Sequence, residues 1–274
     1  MPENNAEDIK QAVLSRYSAH AQRRLAALKE TGGASCCGTP TTVDEAMNSS
    51  CCGETENLDS LADANVAGAL YSAEELRNLP EDVLASLGCG NPTAIAGLQE
   101  GESVLDLGSG GGLDCFLASG KVGVKGKVVG LDMSADMIQL ARRNAGRVGA
   151  ENVRFRLGEM EDMPFDDASF NVIISNCVIN LSPDKDAVLG EAHRVLKPGG
   201  RLRASDIVWA REPTEQQRAD LASWTACVAG ALTEADYVAR LRAAGFEDVR
   251  VEPKEGTAPD SALFSAYVSA SKRG

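Results

Sequence analysis

What this 274-residue chain lacks narrows its function before any motif is read. Basic residues are scarce: 27 Lys and Arg stand against 40 Asp and Glu, a formal net charge of -13, which argues against a surface built to neutralise phosphates and so against nucleic acid as a partner. No run approaches the ~18 apolar residues of a membrane span. The start, MPENNAEDIKQAVLSRY, lacks the basic-then-apolar order of a secretory signal, so a soluble, cytoplasmic protein with no membrane partner is expected. The two histidines, His20 and His193, sit inside helical patterns, and neither is assigned a role. The cysteines show no CxxC spacing, which argues against a zinc ribbon or a thioredoxin-like dithiol.

What is present points to one large core. Hydrophobic content of 43% can fill a sizeable interior, and a single α/β core of ~200 to 250 residues with an appendage is the expected count. A chain of this size does not need disulfide staples. In a reducing cytosol the eight cysteines are expected to rest mostly as thiols, with ligation or redox chemistry as their use. Cys115, in LDCFLA, reads as a packing residue.

Residues 6 to 30 carry Ile9, Val13, Tyr17, Leu25 and Leu28 near helical spacing, an amphipathic helix. From Thr31 to about Ala69 no period is sustained, and a long loop holds the echo SCCGT and SCCGE. Beyond Ser86, short apolar strands alternate with longer amphipathic segments: SVLDL, KVVGLD, VRFRL, FNVIISN and RLRASDIV as strands, the last preceded by KPGG. Helices are expected between them, then at 214 to 229 and 233 to 244, followed by strands EDVRVEP and LFSAYVSAS. Strands apolar on both faces predict a Rossmann-like, roughly seven-stranded α/β sheet covered by helices on both sides, its last strand antiparallel. The expected division is 1–70 for the N-terminal helix and thiol-bearing loop, 71–210 for the cofactor-binding domain, and 211–274 for helices and strands that complete the sheet and cover the site.

VLDLGSGGGLD follows a strand and precedes a helix, where Gly108, Gly110, Gly111 and Gly112 let backbone approach a ligand closely. Asp106 stands two residues before the first glycine, where it can meet an ammonium group. Asp132 ends the next strand in GLDMS, where an acid can accept both ribose hydroxyls. After the third strand, Met160 and Glu161 can pack on and hydrogen-bond an adenine. Acid for ammonium, glycines for close approach and acid for ribose describe S-adenosylmethionine better than a nicotinamide dinucleotide. Ser109, Met133 and Asn176 are counted with the cofactor-binding residues. Through VLDLGSGGG, GLDMS and VLKPGGRL the chain resembles the seven-strand, S-adenosylmethionine-dependent methyltransferases over about residues 80 to 210.

Cys177 lies at the exit of the fourth core strand, where open α/β sheets bind ligands, and Cys227 lies on or after a helix able to cover the same mouth. Cys89 lies in LGCGNP just before the sheet. Scattered thiolates suit a soft element. LGCGNP, DLGSGGGLD, SNCVINLSPDK, RVLKPGGR and CVAGAL, over about residues 70 to 235, resemble the arsenite methyltransferases. The paired CC motifs and YSAEELRNLP are closer to their prokaryotic branch.

That resemblance implies that Cys89, Cys177 and Cys227 bind trivalent arsenic and act in catalysis, with a further thiol from the group Cys36, Cys37, Cys51 and Cys52 joining the redox steps. The implied substrates are arsenite or thiol-conjugated arsenicals, the implied donor is S-adenosylmethionine, and a cellular thiol reductant, glutathione or thioredoxin, is the expected electron source. A monomer is expected. Sulfur-bound trivalent arsenic keeps a lone pair and needs no general base, which accounts for cysteines at the sheet mouth in place of a His or carboxylate dyad. Two rival readings stay open here: a C- or O-methyltransferase of quinone-biosynthesis type, and a non-enzymatic thiol-based arsenic-binding protein.

Overall fold

The alternation of apolar strands and amphipathic helices builds a single sheet in the computed structural model, which describes residues 5–30, 70–77, 79–80, 83, 88–219, 224, 227–254 and 262–274. The expected loop with Cys36, Cys37, Cys51 and Cys52 lies outside the described residues. In chain order the elements are α1 (Ala6–Glu30), α2 (Ala73–Leu76), α3 (Pro92–Ile95), β1 (Ser103–Leu107), α4 (Leu113–Val122), β2 (Lys127–Asp132), α5 (Ala135–Val148), β3 (Val153–Leu157) and β4 (Phe170–Asn176). There follow a 3-10 turn (Ile179–Leu181), α6 (Lys185–Val195), β5 (Leu196–Trp209), α7 (Glu215–Ala219), β6 (Leu232–Thr233), α8 (Glu234–Ala243), β7 (Phe246–Pro253) and β8 (Leu263–Lys272).

The strands run in the order β3-β2-β1-β4-β5-β8-β7, with the two-residue β6 paired to the end of β5. Pairs from β3 through β5 are parallel, and β8 runs antiparallel between β5 and β7. From β1 the chain winds outward to β3 and returns to β4 on the other side of β1. The β1/β4 boundary is therefore the point where strand order reverses, and the crevice beyond these strand ends is where such sheets take ligands.

Alternation along the strands fills both faces. Leu105, Leu107, Ile173 and Leu202 join Tyr237 and Phe264 on one side, while Val104, Val128, Val172 and Ile174 join Phe116 and Cys115 on the other. Ser134, Asp184 and Thr233 cap α5, α6 and α8 with side-chain oxygens that accept from Met137, Ala187 and Asp236 backbone N–H groups. Helix α1 lies across α5, tied by Ser18 Oγ to Ser134 Oγ at 2.9 Å, by Gln22 to Asp136 at 3.0 Å, and by Arg143 donating to the Leu28 carbonyl at 3.0 Å.

Two expected boundaries are corrected. KPGG does not precede β5 but opens it: Phe170 pairs with Leu196, and a register shift before Val172 absorbs the Pro and Gly residues. Of the helix expected over 214 to 229, Glu215–Ala219 and Trp224 are helical, residues 220–223 and 225–226 lie outside the described residues, and residues 227–230 form turns. Cys227 has φ +63°, a left-handed conformation that an α-helix cannot include.

Candidate active site

The glycine turn after β1 reverses the chain so that its backbone faces the crevice. Gly108 (φ +62°) and Gly110 (φ +50°) adopt conformations that favour glycine, and the Cβ that Gly110 lacks would meet nothing within 4 Å. The turn, Asp106, the ends of β2, β3 and β4, and α1 enclose about 1310 Å³ of empty space, part of it open to solvent. Asp106, Gly108, Ser109, Gly110, Asp132, Met133, Met160, Glu161 and Asn176 all border it, and Lys10, Val13, Leu14 and Tyr17 of α1 cover it. Gly112 does not border it; its φ is +94° and its missing side chain faces the rings of Phe116 and Phe155, so it serves the turn into α4.

This crevice is lined by buried acids. Burial, and next the neighbouring Asp114, raises the Asp106 carboxyl well above its ordinary range, against a hydrogen bond donated by Cys115 Sγ at 3.2 Å. Burial pushes Asp114 up to about 6, against hydrogen bonds from Asn176 Nδ2 at 3.1 Å and Tyr71 Oη at 2.9 Å. Asp132 is raised by burial too, while its oxygens accept from the Gly110 and Ser134 N–H groups, both at 2.9 Å. Two adjacent buried carboxyls fit an ammonium group that would return them to the charged form. Ser109 Oγ is buried with no partner among the described residues, and Asp132 borders the crevice at the end of β2. These features fit S-adenosylmethionine. Glu161 accepts from Ser182 Oγ at 2.6 Å and pairs with Lys10 at 3.5 Å, so at the expected adenine end its carboxylate already joins α1 to the crevice wall.

Cys177 is the one cysteine among the described residues that borders this space. It stands one residue past β4, at φ +60°, with its N–H on the Ser205 carbonyl of β5 at 2.8 Å. Cys89 lies alongside with a Cα separation of 5.8 Å, and the two sulfurs are joined as a disulfide. Against the expectation of mostly free thiols this pair is bonded, because the turn before β1 and the exit of β4 bring the two within reach, while Cys115 and Cys227 are free. Cys227 is a buried free thiol whose Sγ donates to the Cys177 carbonyl at 2.8 Å. Burial, and next Asp206, pushes its pKa up to about 12, against a hydrogen bond with Tyr17. All three cysteines share one apolar cluster with Ile9 and Val13 of α1. Sulfurs of Cys89 and Cys177 and a carboxylate oxygen of Asp206 lie within 4.8 Å of one another.

Residues 98–245 match the family described as a methyltransferase domain. The chain is 41% identical over 254 residues to an arsenite methyltransferase of Halobacterium salinarum, covering 92% of this chain and 61% of that protein. It is 44% identical over 192 residues to an arsenite methyltransferase of Aquipseudomonas alcaligenes, covering 67% of this chain and 55% of that protein. A crystal structure of an arsenic(III) S-adenosylmethionine methyltransferase from Chlamydomonas reinhardtii matches with 35% identity and a TM-score of 0.63, covering 73% of this chain and 72% of that one. The chain belongs to the arsenite methyltransferase family. It spans less than two thirds of the length of the two curated relatives.

In this arsenite methyltransferase family member, SNCVINL acquires a physical reading through its two asparagines. Asn176 Oδ1 accepts from the Cys89 and Gly90 N–H groups at 3.0 and 3.2 Å, and its Nδ2 donates to Gly90 O at 2.8 Å. Asn180 Nδ2 donates to Ile207 O at 2.8 Å and reaches Cys227 O at 3.5 Å. Each asparagine thus ties the backbone of another cysteine to the Cys177 segment. The glycines of LGCGNP follow from the same closeness: a Cβ at Gly88 would collide with the Asn176 amide, and one at Gly90 with the Ser205 side chain. Tyr71, Asp114, Asn180 and Asp206 escaped the sequence reading. Cys115, read as packing, is packed and also hydrogen-bonded to Asp106.

Two predictions follow from this geometry. Gly90→Ala forces Cβ into Ser205 and should destabilise the protein by about 1 to 3 kcal/mol in urea unfolding, with methyl transfer reduced more than cofactor affinity because the Cys89 turn is displaced. Asp114 binds its proton more tightly folded (about 6) than at its ordinary 3.8, so its contribution to stability is present below that range and is lost as pH rises from about 4 to about 6. Unfolding midpoints across that window should show this fall, and Asp114→Asn should flatten it.

Proposed function

We propose that this protein methylates trivalent arsenic, as arsenite and methylarsenite, with S-adenosylmethionine as donor, in arsenic detoxification. The observation that carries the reading is the double position of Cys177: it borders the acid-lined crevice and stands in the cluster with Cys89 and Cys227. When bound, S-adenosylmethionine supplies a methyl group activated by its sulfonium. Asp106 and Asp114 receive the ammonium, Asp132 the ribose hydroxyls, and Met160 and Glu161 the adenine. Helix α1 and the C-terminal segment cover the site and limit water. Positioning of this type can contribute ~7 to 11 kcal/mol toward a barrier.

Cys89, Cys177 and Cys227 hold the arsenic with its lone pair toward the crevice. In the transfer an As–C bond forms while the S–CH3 bond breaks, its electron pair staying on the departing sulfur as S-adenosylhomocysteine. Arsenic is then formally pentavalent. Two ligating sulfurs that join as a disulfide return two electrons to it, and the Cys89–Cys177 pair has the required closeness. A thiol reductant of the glutathione or thioredoxin class reopens the pair, with Cys36, Cys37, Cys51 or Cys52 as a relay.

The test is arsenic speciation over time with purified protein, arsenite, thiol reductant and S-adenosylmethionine. Methylated arsenic should appear in step with S-adenosylhomocysteine, and Cys89→Ser, Cys177→Ser and Cys227→Ser should each lower the rate by about 100-fold or more with cofactor affinity little changed. Methylation of an organic acceptor that survives all three substitutions, or arsenite binding without turnover, would contradict the reading.

A further inference from the structure

The carboxyl group of Asp206 is fully buried near the end of β5. Its Oδ2 accepts from the Tyr237 hydroxyl at 2.7 Å, and Tyr237, on α8, is itself fully buried. Its Oδ1 is buried and has no hydrogen-bond partner among the described residues. The neighbouring cation does not supply one: Lys185 Nζ donates to the carbonyls of Ser182 and Asn180 and lies 4.8 Å from the centroid of the Trp224 ring. A buried acceptor without a partner is costly, more so when charged, and this carboxylate has an oxygen within 4.8 Å of the Cys89 and Cys177 sulfurs. Tyr237 fixes the rotation of that carboxylate.

Trivalent arsenic has three substituent positions. When the reduced Cys89 and Cys177 thiols react with arsenite, two As–O bonds break and two As–S bonds form. The thiol protons leave with the displaced hydroxides as two waters, and the oxidation state does not change. One hydroxyl remains until Cys227, whose thiol is turned to the Cys177 carbonyl, displaces it as a third water. Methylarsenite held by the same two sulfurs presents a methyl group there instead. A hydroxyl can donate to the free oxygen of Asp206, whereas a methyl group leaves it unpaired. Resting on the arsenic reading above, we propose that Asp206 accepts the hydrogen bond of the arsenic-borne hydroxyl, and so acts as a positioning and specificity residue that favours arsenite over methylarsenite.

The experiment measures the rate constants with which the reduced protein, freed of excess reductant, first captures arsenite and methylarsenite, the step at which the hydroxyl is still present. It does so in the wild type and in Asp206→Leu and Asp206→Asn, after thermal unfolding and cofactor binding establish that each variant is folded; methylation of both arsenicals by the wild type is assayed alongside. In Asp206→Leu the arsenite-to-methylarsenite ratio should fall by about tenfold, the value of one buried hydrogen bond of this type. Asp206→Asn keeps the shape, and because Tyr237 claims its single oxygen the ratio should fall in the same direction; it decides the matter if the leucine variant does not fold. A merely structural role would lower both rates together and leave the ratio unmoved, and that result overturns the inference alone. No methylation of either arsenical by the wild type would overturn the arsenic reading and the inference with it.

Discussion

The site depends on one side-chain amide. Asn176 ends β4 in parallel register with Ser205, and its amide reaches back to the Cys89 turn and sideways to Asp114 and Tyr71. The cysteine next to it therefore emerges at a fixed depth, between a turn that carries a second sulfur and a helix that carries the crevice-lining Asp114. Because buried amide groups must find partners, each of these bonds constrains a different segment, and displacing one would leave the others unpaired. Cys177 and Cys227 are held at φ +60° and +63°, a conformation that costs an ordinary residue ~1 to 2 kcal/mol and persists where surrounding contacts over-determine it.

Electrostatics divide the crevice into two ends with different tasks. Asp106, Asp114 and Asp132 are all raised by burial, so this end favours a ligand that brings positive charge. The other end is apolar and meets the cysteine cluster through Cys177, closed by Val13 and Leu181 with Ile9 packed behind. A cationic donor and a soft, neutral acceptor would sort themselves between the two without a general base. The net charge of -13 is not explained by this arrangement, since Asp106, Asp114 and Asp132 are three of 40 acidic residues.

Much of the fold was legible because parallel strands buried on both faces read as near-continuous apolar runs, as in NVIIS and KVVGL. KPGG misled, since Pro and Gly usually end a strand, and here a register shift carries them into β5. Cys177 and the acids near the ends of β1 and β2 were legible because these strand ends border the crevice. Asp114 was not: an acid in the first turn of a helix reads as a partner of the helix dipole, and its link to Tyr71 spans 43 residues. Asp206 was hidden inside an ordinary strand, with its partner Tyr237 on a helix 31 residues on. Asn180 was not legible either, since its contact with the Cys227 carbonyl spans 47 residues.

The account turns on arsenic being held by sulfur from separate segments beside the donor crevice. X-ray absorption at the arsenic edge of the reduced protein, loaded with one equivalent of arsenite, measures this directly. Sulfur neighbours should dominate the first shell and decrease when Cys177 is replaced by serine. An oxygen-only shell, or a sulfur shell indifferent to replacement of Cys89, Cys177 and Cys227, would contradict it.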